Sequence, residues 1–134
     1  HPEQPEHEGW AAWEATRAPR YAAIWDIYGR LLESVNRHAE ARAAYEKALS
    51  LSSGYTFSWN RLGMMHARLG RFGLAQSCFY HAHTGKPDEL PFKFNYAAIQ
   101  KVNGAEAEAI QLFQTLPRQI VLTTEMVIIE KRPA

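Results

Sequence analysis

Six histidines, one cysteine and scattered carboxylates are the residues of this 134-residue chain whose types could support chemistry, and their spacing argues against it. His81 and His83 lie two apart, which on a helix turns them about 200° from each other around the axis, to nearly opposite sides. The i, i+4 histidine pair of a helical zinc site is absent. With Cys78 as the single cysteine, neither an intramolecular disulfide nor a cysteine-based zinc site can be built. Cys78 directly precedes Phe79 and reads as a small packing or surface residue rather than a nucleophile. No Gly-x-Ser-x-Gly and no Gly-x-x-x-x-Gly-Lys-Ser/Thr occurs. Glu106 and Glu108 follow Gly104 and suit the first turn of a helix, where the dipole favours negative charge. These observations predict no enzymatic activity, no metal and no cofactor.

The totals narrow the remaining classes. The length fits one domain, and 46% apolar residues suffice for a core. A net charge of +1, without a basic stripe, argues against a nucleic-acid partner. No apolar run approaches the roughly 18–20 residues of a membrane span, so no direct membrane insertion is expected. A chain opening on His1 is read as a mature or trimmed form, and the compartment stays open between cytoplasm and bacterial periplasm.

The elements that position these residues recur. Trp25 and Trp59 lie 34 residues apart, and the same shift carries Gly29 to Gly63, Ala41 to Ala75, Tyr45 to Phe79 and Ala48 to Ala82. A second shift of 34 carries Gly70 to Gly104, Ala75 to Ala109 and Phe79 to Phe113. Trp25, Tyr28, Gly29 and Leu32 share one helical face. A glycine inside a helix costs about 1 kcal/mol against alanine and is tolerated where a second helix approaches closely. Ala41 and Ala75 are the small residues expected opposite, with Tyr45, Phe79 and Phe113 one turn further on the same face. Gly70 and Gly104 stand where a left-handed residue ends the first helix of a pair, and Asn36 takes that place in the first pair. The expected helices cover 22–35, 38–51, 56–69, 72–84, 90–102 and 105–115, with Ser52, Ser53 or Thr56 available to cap the third. A further helix at 8–17, holding Trp10 and Trp13, is expected to be closed by Pro19.

This pattern resembles the tetratricopeptide repeat, whose signature reads Trp-x2-Leu-Gly-x2-Tyr, then Ala-x3-Phe, then Pro. The second copy carries Trp59, Leu62, Gly63, Ala75, Phe79 and Pro87, with His66 in the tyrosine slot, where it stands in for a core aromatic. The first carries Trp25, Gly29, Ala41 and Tyr45; in the third, Lys93, Tyr96, Ala97 and Gln100 replace the signature and only Ala109 and Phe113 remain clean. The resemblance covers residues 22–116. It implies an all-α solenoid of about three helix-turn-helix repeats that binds a protein or peptide and catalyses nothing. The domain layout is a disordered lead-in at 1–7, an N-terminal capping helix at 8–20, repeats at 21–116 and a C-terminal capping segment at 117–134. In that fold first helices line the inner groove and Trp25 and Trp59 are core residues.

From the register, the groove offers Asp26, Ile27 and Arg30, then Phe57, Asn60, Arg61, Met64 and Arg68, then Phe94, Asn95 and Lys101. Asparagine can donate to and accept from a peptide backbone at once. Arginine can hold a carboxylate through two parallel hydrogen bonds. Phe57, Met64 and Phe94 add apolar anchors. One variant of the family clamps a terminal carboxylate with fixed lysines; here Asp26 and Pro91 stand in the lysine places, so that mode is not expected.

The ends carry a competing reading. Trp10 and Trp13 are explained by cap packing or by a second interface. Residues 120–129 (IVLTTEMVII) read as a short helix from about 124 that caps the last repeat, or else as an extended segment packed on it. Together they support self-association into a homo-oligomer, as a structural or accessory component of a bacterial envelope assembly such as pilus biogenesis or secretion. The envelope role rests on analogy with the family alone.

Overall fold

The computed structural model describes residues 17–129. These hold six helices: α1 (Ala18–Ser34), α2 (His38–Leu51), α3 (Thr56–Arg68), α4 (Phe72–Gly85), α5 (Leu90–Val102) and α6 (Glu106–Gln114). Among the described residues there is no strand, and no helix is long and apolar enough to cross a membrane. The expected lead-in at 1–7 and Trp10 and Trp13 lie outside the described residues.

Each helix pair closes by the same turn. Asn36, Gly70 and Gly104, spaced by the repeat length, all have positive φ, at 63°, 76° and 89°. The following amide then reaches back over the turn: Arg37 N–H donates to the Leu32 carbonyl, Arg71 to His66 and Ala105 to Gln100, each at 2.9 Å. A left-handed residue turns the chain so that this bond can form and satisfies carbonyls the helix end leaves open. Glycine and asparagine visit that conformation most cheaply, which is why they recur here.

Packing within each pair is also repeated. A Cβ on Gly29 would lie 2.5 Å from the ring of Tyr45, and a Cβ on Gly63 would lie 2.5 Å from the ring of Phe79. Both rings are fully buried. The glycines are therefore required by the aromatic ring of the facing helix. In the third pair the corresponding residue is Ala97, which is fully buried, and Phe113 is 37% exposed and meets Phe94 edge-on at 6.2 Å.

Three expectations are corrected. Pro19 sits in the first turn of α1, where a missing N–H costs nothing and φ is already helical; residues 18–20 thus belong to α1, and the helix expected before them lies outside the described residues. Trp25 and Trp59 are half-buried rather than core, Trp25 edge-on to Tyr28 and Trp59 stacked on His81. The position of His81 is held by Lys47 one repeat earlier, so the first tryptophan has no equivalent ring to stack on. Residues 117–129 form no helix: a turn at Thr124–Glu125 leads into an irregular stretch.

The described chain divides between Ser58 and Trp59 into two compact units. In the first, α1 packs on α2, and the buried Asp26 carboxylate accepts a hydrogen bond from Ser58 Oγ at 2.8 Å. In the second, Met64, Ala67, Ala75, Phe79, Ile99 and Val127 form one core cluster, edged by Phe72, Tyr96 and Ile129.

Candidate functional site

The expected groove residues fall on both sides of that division. In the first unit Asp26 is enclosed, not open, while Ile27 and Arg30 are exposed and Phe57 is half-buried against Tyr55. Asp26 and Asn60 occupy equivalent repeat positions, and each is buried within its own unit rather than open to solvent.

The second unit brings Asn60, Arg61, Met64 and Asn95 together, and all four are buried. α3 and α5 supply them, and the chain's own C-terminal segment lies against them. Asn95 Nδ2 donates to the Glu125 carbonyl at 2.8 Å, and its Oδ1 accepts from Val127 N–H at 2.8 Å. Asn60 Nδ2 donates to the same carbonyl at 2.9 Å. The two carboxamides are joined, Asn95 Nδ2 to Asn60 Oδ1 at 2.8 Å, and Asn60 Nδ2 also lies 3.6 Å from Met64 Sδ. Arg61 Nη2 pairs with Glu125 Oε1 at 2.6 Å. The second carboxylate oxygen of Glu125 is buried with no hydrogen-bond partner, so the ion pair is not the two-bond fork expected of arginine.

The geometry is that of one sheet-like register step. The Glu125 carbonyl and the Val127 N–H flank Met126, and one carboxamide takes both, as the N–H and C=O of a single residue on a neighbouring parallel strand would. Side chains follow the period of two that an extended chain imposes: Val127 and Ile129 join the core while Ile128 is exposed. Glu125 is also tied locally, its N–H donating to Thr123 Oγ1 at 3.2 Å, and Met126 N–H donates to the Thr123 carbonyl at 3.1 Å. These two bonds set the turn that presents Glu125 to Arg61.

The other expected contacts stand apart from this clamp. Arg68 and Lys101 are exposed, and Phe94 is half-buried against Phe113. His81 and His83 diverge as their spacing implies, His81 stacking on Trp59 at 4.4 Å and His83 on Tyr96 at 5.5 Å. Among the described residues no group of three or more His, Cys, Asp or Glu could hold a metal ion. Cys78 is buried, and burial pushes its thiol up to about 11.

Asn60, Asn95 and Arg61, expected to take a partner's backbone and carboxylate, here bond to the chain's own C-terminal segment, which the sequence did not announce as their occupant. The available signal was a lone acidic residue, Glu125, within an apolar β-branched stretch, and a charge there needs a cation opposite it.

Comparison with known proteins bears on the repeat. Residues 22–55 match the family model described as Tetratricopeptide repeat. No curated protein matches the chain. The match spans α1, α2 and the loop after them, and the turn and glycine–aromatic packing of that stretch return one repeat length later. The chain therefore carries a tetratricopeptide repeat at residues 22–55 within an all-α helical-repeat architecture, and repeats of this family suggest an interaction module for protein partners.

Proposed function

We propose that this is a non-enzymatic adaptor whose second unit holds a non-helical peptide segment against the face formed by α3 and α5. Asn60 and Asn95 take the backbone of that segment and Arg61 takes an acidic side chain. The observation that carries this reading is the pair of bonds from one carboxamide, Asn95, to the Glu125 carbonyl and the Val127 N–H. Backbone contacts supply affinity regardless of side chains, and the pockets for alternate side chains supply selectivity. Met64 adds apolar lining, and the exposed Lys101 suits a flanking acidic residue of the partner.

Affinity capture from the native host with parallel variants tests the reading. The partner should be retained by wild type and by Gln111→Ala on the exposed side of α6. It should be lost by Asn95→Ala, Asn60→Ala and Arg61→Glu proteins that keep their helical circular dichroism. Unchanged capture by folded Asn95→Ala protein sinks the assignment.

Self-association is the second reading, and one observation favours it. Ile24, Ile27, Tyr28 and Leu31 on α1 and Val35 at its C-cap are exposed, in a stripe with helical spacing. A stripe of that kind suits a second copy. Light scattering over a concentration series decides it: a strict monomer at high concentration removes this reading. The role in an envelope assembly has no residue behind it and is carried by the family analogy alone.

A further inference from the structure

We infer that residues Glu125–Val127 are an internal ligand occupying the partner's place, and that the segment displacing them carries glutamate, an apolar residue and then a β-branched aliphatic residue. The inference rests on the peptide-holding reading above and gives it a partner chemistry.

The occupied site specifies its ligand closely. Asn60, Asn95 and Arg61 are buried polar groups whose hydrogen bonds are completed by the tail. A ligand that failed to supply a carbonyl, an N–H two residues later and a carboxylate would forfeit the bonds these groups make to the tail, and sites built on buried polar groups reject such analogues strongly. The side chain two residues after the acid enters the cluster of Met64, Ala67, Ala75, Phe79 and Ile99, which accepts an aliphatic group and excludes a charge. The residue between them, Met126, is buried beside Leu90 and Pro91 at the edge of an open cleft of about 510 Å³.

The tail is also placed to leave. It carries no helix that would have to unwind, α6 having ended at Gln114. The residues leading into it are exposed, Val121 by 81%, and the cleft beside Met126 opens to solvent. Every bond it makes to the clamp uses its own backbone or one carboxylate, and any segment of matching chemistry reproduces those groups. A tethered segment competes at an effective concentration of order mM, so the covalent tail masks the site against a free ligand.

The test uses the full chain and a fluorescent peptide of residues 121–129, read by anisotropy. Glu125→Lys with Val127→Asp releases the tail without altering the clamp. The released chain should bind the peptide at least tenfold more tightly than wild type. Adding Asn95→Ala to the chain, or Glu125→Lys to the peptide, should each remove at least tenfold. Equal binding by wild type and released chains overturns the internal-competitor claim while leaving the peptide-holding face intact. Binding indifferent to Asn95→Ala removes the face itself, and a folded released chain that binds no peptide overturns both. If the released chain does not fold, hydrogen exchange on wild type decides: amides of 125–129 should exchange by local opening, at least tenfold faster than the buried amides of α4. Exchange at the α4 rate makes the tail a permanent part of the core and overturns the proposal. A concentration-dependent dimer that exchanges tails assigns the place to a second copy and overturns the partner assigned here.

Discussion

Asn95 and Val127, 32 positions apart, share a buried 2.8 Å hydrogen bond in which a helix side chain accepts from the backbone of the C-terminal segment. The same carboxamide donates to the Glu125 carbonyl, so one side chain registers the tail on both sides of Met126. Asn95→Ala leaves the Val127 N–H and Asn60 Oδ1 without their partner, and a buried unsatisfied group costs about 1–3 kcal/mol. The expected loss is about 2–4 kcal/mol in chemical denaturation. Asn95→Asp keeps the acceptor, loses the donors and sets a negative charge against a carbonyl, so it should destabilise at least as much. An Asp variant as stable as wild type would show that the donor bonds contribute little.

Gly63 and Phe79 make a second testable pair. Alanine raises helix propensity by about 1 kcal/mol, yet its Cβ would lie 2.5 Å from Phe79 Cε1. Overpacking a full core costs about 1–3 kcal/mol, so Gly63→Ala should destabilise on balance. Phe79→Leu in the same chain should recover part of that loss. Gly73→Ala, which meets nothing within 4 Å, is the control and should be neutral or stabilising in thermal unfolding.

How much was legible in the sequence followed from how local each cause was. Left-handed turns demand particular residues, so Asn36, Gly70 and Gly104 marked the helix ends directly. Pro19 misled because proline is favoured both after a helix and in the first turn of one. Asp26 was expected on an open face from its register in the repeat; it is instead buried and bonded to Ser58, a partner 32 residues away that no local pattern announces. The chemistry of Asn60, Arg61 and Asn95 was legible from residue type, but the identity of what they hold was not. A segment without periodicity takes its course from tertiary contacts, and Glu125, Val127 and Ile129 reveal their alternation only once a wall is present to face.

His83 gives the second unit a pH dependence. Burial, and secondarily the charge of Lys93, lowers its pKa from the ordinary 6.5. The folded state therefore resists protonation that the unfolded state accepts. Stability is full above about pH 6.5 and declines as pH falls from there toward the lowered folded value, below which it levels off. His83→Phe retains a ring against Tyr96 and should flatten the part of the denaturation-versus-pH curve that His83 contributes. An identical slope in wild type and variant would contradict the assignment.

Cys78 should be inert while the chain is folded. Thiolates are the reactive form, and burial in α4 pushes this thiol up to about 11. Iodoacetamide at pH 8 should label the native protein far more slowly than the denatured protein, as followed by mass spectrometry. Rapid native labelling would show that this face of α4 opens readily.

The most direct test of the peptide-holding clamp is the side-chain amide spectrum of Asn60 and Asn95 in the tail-released chain, followed by NMR as unlabelled peptide 121–129 is added. The account predicts that both NH2 pairs shift and saturate together, with the exposed amides of α6 unmoved. Saturable binding that leaves the Asn60 and Asn95 side chains unperturbed would contradict it.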